Sequence, residues 1–215
     1  MGKVTFYIVR HGQTLLNMLN KAQGWCDSPL TEKGMEDAMR LGKNFRTVSF
    51  DAALSSDTLR ARETARLILS SAGQEELLIT EDRRLREWCL GKWEGADNKI
   101  FLESVMTALD KGNTLNDIDM YLPDVLNFIH SEDTTGMTQP FDVVMHRLHD
   151  CLSEIACQYE VHDQNTRILI VTHALAIKTI LYSISKDVLK DMGKISNTRC
   201  IPIVWKDGGF MFADK

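Results

Sequence analysis

Cysteine and long apolar runs are both scarce in this 215-residue sequence. The five cysteines form no C-x-x-C pair, which argues against a disulfide framework and against a zinc site. No apolar run approaches the roughly 18 residues that a membrane-spanning helix needs. The first apolar run, residues 4–9, stops at Arg10 and does not have the form of a signal peptide. We therefore expect a cytoplasmic protein with reduced thiols.

An excess of positive charge is also absent. The chain has 25 Lys and Arg against 30 Asp and Glu, which gives a net charge of −5. This balance argues against a surface for nucleic acid or for an anionic membrane. A phosphate site must then be a local cluster of cations on an acidic protein. The expected partner is a small molecule, with no nucleic acid and no membrane, and the chain is expected to be a monomer or a homodimer.

The apolar pattern predicts strands that alternate with helices. The predicted strands are residues 4–9, 50–54, 77–80, 168–172 and 201–205. Helices are predicted to begin near Thr31, Thr58, Pro140 and His173. This alternation is typical of an α/β fold, and we predict a three-layer sandwich with a mainly parallel central sheet and helices on both faces.

Residues 96–139 have a different composition. Their apolar residues are scattered among Asn, Asp, Thr and Gly, which favours short helices and no strand. We interpret them as a helical cap insertion within a single domain of residues 1–215. The insertion has several large apolar residues and few basic ones, which argues weakly against a substrate with a second phosphate. These apolar residues are Phe101, Met106, Met120, Tyr121, Phe128 and Met137.

Basic or imidazole residues follow three of the predicted strands. Arg10 and His11 follow the first strand, Arg60 opens the helix after the second, and His173 follows the fourth. In open α/β sheets, ligands bind beyond the carboxyl ends of the strands, where helix N-termini favour anions. Arginine matches phosphate oxygens, and a neutral imidazole can attack phosphorus. The pattern therefore favours a phosphoryl site in which His11 can be the nucleophile. Taken alone, however, a histidine at a strand end is more often a loop residue whose hydrogen bonds are satisfied within the protein.

Several motifs in sequence order carry a resemblance to a known family. They are RHG at 10, GWCDSPLTEKG at 24, SSDTLRARETA at 55, LREWCLGKWEG at 85 and VTHALAIKTIL at 171. The set resembles the histidine phosphatase superfamily, which includes cofactor-dependent phosphoglycerate mutases and fructose-2,6-bisphosphatase. The resemblance covers residues 4–95 and 165–185, and it looks closest to the broad-specificity small-molecule phosphatases.

The resemblance implies a role for each matching residue. His11 matches the histidine that becomes phosphorylated, and Glu87 matches the proton donor to the leaving oxygen. The other catalytic positions of the phosphate pocket are Arg10, Arg60 and His173. The implied substrate- or phosphate-binding positions are Thr14, Asn17, Gln23, Gly24 and Ala174, the last in place of a usual glycine. The resemblance implies no metal and no cofactor, because cationic side chains balance the phosphate charge.

The activity implied is a metal-independent phosphomonoesterase that acts on small phosphorylated metabolites. Two alternatives remain: a cofactor-dependent phosphoglycerate mutase, and a catalytically weak relative that binds phosphorylated ligands or a partner. The phosphatase is favoured because mutases of this fold tend to have a longer C-terminal tail. Gln13 also stands where mutases typically have an acidic residue. The presence of His11, His173 and Glu87 argues against the weak relative.

Rival phosphatase chemistries lack their motifs. No cysteine begins a C-x5-R motif, and the D-x-D at 117–119 follows a polar run instead of a strand. The P-loop, Rossmann and nucleophile-elbow patterns are absent. The remaining candidates are interpreted as exposed, structural or core residues. They are Arg62, Glu94, Trp88, Trp93, His130, His146, His149, His162 and Lys178.

Overall fold

The structure is a computed structural model that describes residues 2–110, 121–160, 165–190 and 192–213. Its strands are β1 (Val4–Arg10), β2 (Ala52–Ser55), β3 (Ile79–Glu81), β4 (Thr166–Thr172), β5 (Cys200–Lys206) and β6 (Gly209–Phe212). Its helices are α1 (Leu15–Met18), α2 (Glu32–Asn44), α3 (Leu59–Ala72), α4 (Asn98–Ala108), α5 (Leu122–Ser131), α6 (Phe141–Glu160) and α7 (Ala174–Ile184). Short 3-10 turns lie at Arg83–Leu85, Gly91–Trp93 and Lys186–Leu189.

The described strands form one sheet in the order β3-β2-β4-β1-β5-β6. The four strands from β3 to β1 pair in parallel, and β5 and β6 are antiparallel. The mainly parallel sheet predicted from the sequence is confirmed. Each predicted strand is present with ends within two residues of the prediction. β1 pairs with β4 on one side and with β5 on the other, so it lies inside the sheet.

Side chains of the central strands alternate between two apolar layers. Phe6 and Ile8 of β1 pack into the core beneath α6 and α7. Val9 of β1 and Val171 of β4 pack into the opposite core beneath α2 and α3. Because both faces of the sheet are covered by helices, the molecule is a three-layer α/β sandwich, as the alternation of elements predicted.

Local signals set the helix starts next to the sheet's carboxyl edge. Thr31 is the N-cap of α2, and its side chain accepts a hydrogen bond from the Gly34 N–H at 3.0 Å. α3 begins after Thr58, and its first N–H, from Leu59, donates to Asp27 at 2.6 Å. α7 begins directly after β4, so His173 occupies its N-cap position. Arg60 in the first turn of α3 lies 3.1 Å from His173, so the starts of α3 and α7 are adjacent.

The described part of the segment 96–139 contains α4 and α5 and no strand. Met120 and the D-x-D at 117–119 lie outside the described residues. α4 and α5 bury apolar residues in the same core as α6, including Val105 and Leu126. Across the described ranges, no helix combines the length and the apolar character that crossing a bilayer requires.

Candidate active site

The carboxyl ends of β1 and β4 place His11 and His173 side by side. Arg10 and Thr172 are partners in the parallel register, and the His11 N–H donates to the Thr172 carbonyl at 2.9 Å. The two imidazole centroids lie 5.2 Å apart. Both rings are buried, with 4% of His11 and 0% of His173 exposed. Two residues 162 positions apart in the sequence thus form one buried pair.

The hydrogen bond of His11 defines its tautomer. Its Nδ1 lies 2.8 Å from the Gly12 carbonyl oxygen. A carbonyl oxygen only accepts hydrogen bonds, so Nδ1 carries the proton. Nε2 of the neutral ring therefore keeps its lone pair, which is the form that a nucleophile needs.

His173 has the opposite tautomer. Its Nδ1 lies 3.1 Å from Nη2 of Arg60. A guanidinium only donates, so Nδ1 of His173 accepts and Nε2 carries the proton. That Nε2 is buried and has no hydrogen-bond partner among the described residues. The neighbour of His11 thus offers a free N–H donor.

Two further buried donors near His11 have no partner within the described ranges. They are Nε of Arg10 and Nε of Arg60. A buried polar group without a partner costs roughly 1–3 kcal/mol, so such groups are rare unless a ligand or water completes them. Together with Nε2 of His173, three unpaired N–H donors, two of them cationic, surround one nucleophilic imidazole. This arrangement favours an anion with several acceptor oxygens.

Burial keeps both imidazoles neutral. The pKa of His11 is lowered well below its usual value by burial first, and then by the charges of Arg60 and Arg10. The pKa of His173 is lowered well below its usual value by burial, and then by Arg60 and by His11. Burial also lowers the pKa of Arg10 to about 10, against the opposing effect of Glu87. At neutral pH the site therefore combines two neutral imidazoles with a charged Arg10.

Arg60 is fully buried and organises the loop after α1. Its Nη2 donates to the Gly24 carbonyl at 2.6 Å, and its Nη1 donates to the Cys26 carbonyl at 2.9 Å and to Asp27 at 3.0 Å. Four of its N–H donors thus contact protein, counting the bond to His173. Arg60 therefore positions the loop and orients His173, and its Nε remains for a ligand.

Glu87 is buried against the N-terminus of α7. Its Oε1 accepts from the N–H of Trp88 at 3.0 Å and of Ala176 at 2.8 Å, and its Oε2 accepts from Leu175 at 3.0 Å. Oε2 accepts one of these three hydrogen bonds and Oε1 accepts two, so Oε2 is the better position for a proton. Glu87 as a whole is 4% exposed. The sequence predicted that the N-terminus of α7 would bind an anionic ligand, but its Leu175 and Ala176 N–H groups bind the Glu87 side chain.

Opposing effects act on the acidity of Glu87. Burial raises its pKa, whereas hydrogen bonds from three backbone N–H groups and the charge of Arg60 lower it. Burial is the larger effect, so the pKa of Glu87 lies above its usual value. A raised carboxyl pKa keeps more of the protonated form near neutral pH, which suits a general acid.

Arg147 of α6 holds the segment that carries Glu87. It donates to the carbonyls of Arg86 at 2.8 Å and Glu87 at 2.9 Å, and also to the Arg84 carbonyl. Burial lowers its pKa to about 10. The sequence analysis did not single out Arg147. A signal was present, because Arg147 falls at helical spacing between the apolar residues Val144, Leu148 and Cys151.

We expect Arg147→Lys to lower the free energy of unfolding by about 1–3 kcal/mol, because an ammonium cannot replace the forked bonds to several buried carbonyls. Urea unfolding measures the change. The matched control is Arg62→Lys, since Arg62 is an exposed helical arginine that pairs with Glu81 at 3.2 Å. That control should change stability by less than about 0.5 kcal/mol. Equal effects in the two variants would contradict the role given to Arg147.

A chain of polar side chains supports the His11 loop. Thr14 donates to Oε1 of Gln23 at 2.7 Å, and Asn17 donates to the same oxygen at 3.4 Å. Asn197 donates to Oδ1 of Asn17 at 3.1 Å and to the His11 carbonyl at 3.0 Å. Asn197 lies in the loop before β5, and nothing in its sequence context identifies it. Long-range packing alone brings it to the site.

Gly24 has a structural reason to be glycine. A Cβ at this position would lie 2.3 Å from the Trp88 carbonyl oxygen, which is too close for any side chain. The N–H groups of Gly24, Trp25 and Cys26 all donate to the Glu94 carboxylate, at 2.7–3.1 Å. Glu94 therefore has a structural role, and the Gly24 N–H is already engaged within the protein.

The site opens into a cavity of about 860 Å³. Six of the predicted site residues line it: Arg10, His11, Asn17, Gln23, Glu87 and Ala174. The other four are not among the lining residues: Thr14, Gly24, Arg60 and His173. Helices α4 and α5 provide an apolar wall that includes Phe101, Met106 and Val125. The cavity therefore joins the predicted phosphate pocket to the described part of the cap.

Most of the other candidates lie outside this cavity or in the core, but Trp88 and Lys178 line it. His130, His146 and His149 are exposed, and His162 lies outside the described residues. Trp88 is fully buried and donates to Thr179 at 3.0 Å. Within the described ranges, no group of three or more His, Cys, Asp or Glu side chains could hold a metal ion.

Comparison with known proteins identifies the family. The profile of the histidine phosphatase superfamily (branch 1) matches residues 6–214. The chain belongs to this superfamily. The fold agrees, because a solved phosphoglycerate mutase from Bacillus anthracis str. Sterne superposes with a TM-score of 0.90 at 30% identity. That superposition covers 100% of this chain and 93% of the other.

Relatives carry the names of mutases and of phosphatases. "Probable phosphoglycerate mutase GpmB" of Erwinia tasmaniensis is 30% identical over 185 residues, 83% of this chain and 73% of that protein. The first curated relatives match over 88 residues, about 40% of their own length. A phosphoserine phosphatase from Entamoeba histolytica shares the fold, with a TM-score of 0.70 at 23% identity over 100% of this chain and 96% of the other. Names alone therefore leave phosphatase and mutase activity both open.

Proposed function

We propose that the chain is a metal-independent phosphomonoesterase for small phosphorylated metabolites, acting through a phosphohistidine on His11. The observation that carries this proposal is the tautomer of His11, whose Nδ1 bonds to the Gly12 carbonyl at 2.8 Å while Nε2 keeps its lone pair. The unpaired N–H donors of Arg10, Arg60 and His173 support it, because three donors match the oxygens of a phosphoryl group.

In the first step, Nε2 of His11 attacks phosphorus and the bond from phosphorus to the ester oxygen breaks. Glu87, protonated on Oε2, gives its proton to the leaving oxygen. Arg10, Arg60 and His173 bind the phosphoryl oxygens and stabilise the charge that develops on them. The products of this step are a free alcohol, a phosphohistidine and a carboxylate on Glu87.

In the second step, water attacks the phosphohistidine. The Glu87 carboxylate takes a proton from that water, and the bond between phosphorus and Nε2 breaks. Inorganic phosphate leaves, and both His11 and Glu87 return to their starting forms. The same residue thus acts first as an acid and then as a base.

Phosphoglycerate mutase activity is the second candidate, because relatives of this chain carry that name. The two activities differ in what accepts the phosphoryl group from His11. We would measure phosphate release from a panel of phosphomonoesters, together with interconversion of 3- and 2-phosphoglycerate, with and without 2,3-bisphosphoglycerate. Phosphate release from several esters supports the phosphatase. Interconversion that depends on the bisphosphate, with little release, would replace it by the mutase.

Activity is expected to survive treatment with EDTA, since the arginines provide the positive charge that a metal would otherwise supply. Phosphate release should fall by less than about two-fold after chelation and removal of the chelator. A metal-dependent phosphatase treated in parallel shows that the chelation is effective. Complete loss of activity that added metal restores would contradict the metal-independent mechanism.

A further inference from the structure

The cavity next to His11 is larger than a phosphoryl group and a three-carbon alcohol require. Its volume of about 860 Å³ lies toward the upper end of the ~300–1,000 Å³ typical of ligand pockets. Its lining is also unusually rich in cations for a protein of net charge −5. Among the described residues, the acids that line it are Glu87 and Glu103, against five cationic side chains: Arg10, Lys21, Lys99, Lys178 and Lys194.

One stripe of α4 presents both an apolar surface and a cation to the cavity. Lys99, Leu102, Glu103 and Met106 follow the spacing i, i+3, i+4, i+7, and all four line the cavity. Lys99 lies at the N-terminal end of the helix, and Leu102 and Met106 follow along the same face. A ligand along this helix would therefore contact an apolar surface and a positive charge.

Lys21 lies beside Lys99 on the same wall. Residue 21 forms an isolated β-bridge with Asp97, directly before α4. Within the part of the chain that the structure describes, each lysine forms a long ion pair, Lys21 at 3.8 Å from Asp97 and Lys99 at 3.8 Å from Glu103. Such exposed pairs contribute little, so a bound anion can compete with them.

Phosphate binding does not account for these lysines. The phosphoryl group already has the unpaired N–H donors of Arg10, Arg60 and His173 as its proposed partners. The cap composition alone suggested few cations, but Lys21, Lys178 and Lys194 reach the cavity from outside the cap. The cluster of lysines is therefore evident only in the folded structure, where residues from separate parts of the sequence line one cavity.

We propose that the substrate is a phosphomonoester whose leaving group has an apolar, ring-sized body and a second anionic group, bound by α4 and by Lys21 and Lys99. This inference rests on the proposed phosphatase function. The apolar body contacts Leu102 and Met106, and the anionic group pairs with the two lysines. Glu103 opposes the anionic group and limits its affinity.

Four esters of alkyl alcohols test the two features separately. Benzyl phosphate has the ring, glycerol 3-phosphate has neither feature, 3-phosphoglycerate has only the second anion, and 4-carboxybenzyl phosphate has both. We expect kcat/KM to be highest for 4-carboxybenzyl phosphate. Loss of the carboxylate should cost roughly 3–10-fold. Loss of the ring should cost roughly ten-fold or more, because burial of apolar surface is lost.

Variants test whether Lys21 and Lys99 cause the preference for the carboxylated ester. Lys21→Met/Lys99→Met should abolish the difference between the two benzyl esters, whereas the exposed Lys206→Met on β5 should leave it unchanged. Glu103→Gln should increase the difference, which is a change of opposite sign. Leu102→Ala should reduce the preference for benzyl over glycerol phosphate. Thermal unfolding of each variant checks that the fold is retained.

Binding of two phosphonates separates this inference from the proposed function. Benzylphosphonate and 4-carboxybenzylphosphonate cannot be hydrolysed, and calorimetry measures their dissociation constants. Tighter binding of the carboxylated compound that depends on Lys21 and Lys99 supports the inference even if no ester is turned over. Turnover of all four esters with equal kcat/KM, or equal binding of both phosphonates, would overturn it and leave the phosphatase proposal standing.

Discussion

His11→Ala is expected to abolish the phosphoenzyme and to lower kcat/KM by roughly 10³-fold or more, because the variant lacks the only proposed nucleophile. Wild-type protein mixed with a phosphomonoester and quenched in alkali should carry a phosphoryl group on one histidine. That group should be labile to acid, as expected of a phosphoramidate. Mass spectrometry of the quenched protein measures it directly.

The matched control is His149→Ala, since His149 is an exposed residue of α6 that does not line the cavity. It should form the phosphoenzyme at the wild-type rate. Because His11 is buried and donates to Gly12, thermal unfolding of His11→Ala must also be followed. A folded His11→Ala protein that still becomes phosphorylated would show that another residue is the nucleophile, and the assignment would then be wrong.

Glu87→Gln is expected to lower kcat/KM for an alkyl phosphate by about 10²–10⁴-fold, the usual contribution of a general acid. The loss should be much smaller for p-nitrophenyl phosphate, whose leaving group needs no proton. Both substrates meet the same variant, so a general disturbance of the fold would affect them equally. Single-turnover phosphorylation of His11 avoids complications from the second step, in which Glu87 acts as a base.

The pH dependence gives an independent test of the same residue. Burial raises the pKa of Glu87, so the protonated acid persists above the usual carboxyl range and is lost as pH rises through the raised value. Activity toward the alkyl ester should therefore fall on the alkaline side of that pKa. Glu87→Gln should remove this alkaline limb. Equal losses for alkyl and aryl esters, with the limb retained, would return Glu87 to a structural role.

The glutamine variant also has a structural cost. A glutamine oxygen can still accept from the N–H groups of Trp88 and Ala176, but its NH₂ group would face the N–H of Leu175. Two donors then point at each other, which costs stability. The comparison of two leaving groups in one variant is therefore more informative than the activity loss alone.

Periodicity predicted the strands and most helix starts because each depends on local sequence. β1 and β4 are apolar on both faces, which is typical of parallel strands between helix layers. Thr31 was identifiable as a cap from its residue type. The prediction began β2 and β3 two residues too early, because apolar Phe50 and Leu77 precede these strands. Hydrogen bonds to the neighbouring strands determine where pairing begins.

The site could be predicted only in part. Arg10 and His11 follow β1 and His173 follows β4, so strand ends identified them. Asn197 and the lysines of the cavity wall could not be found in this way, because tertiary packing alone brings them to the site. The reason for Gly12 is likewise tertiary, because a Cβ there would lie 2.7 Å from the carbonyl oxygen of Gly34. Backbone packing against α2 is sufficient reason for that glycine.

The central position of β1 has a consequence for how the chain folds. β1 pairs with residues 166–172 on one side and with residues 200–205 on the other. During synthesis, neither edge of this apolar strand can pair until the ribosome has made residues 166–172 or 200–205. Such long-range pairing slows folding and leaves strand edges open to other chains. His11, which directly follows β1, thus reaches its place beside His173 only late in folding, and chaperone binding to nascent chains should concentrate on residues 4–10.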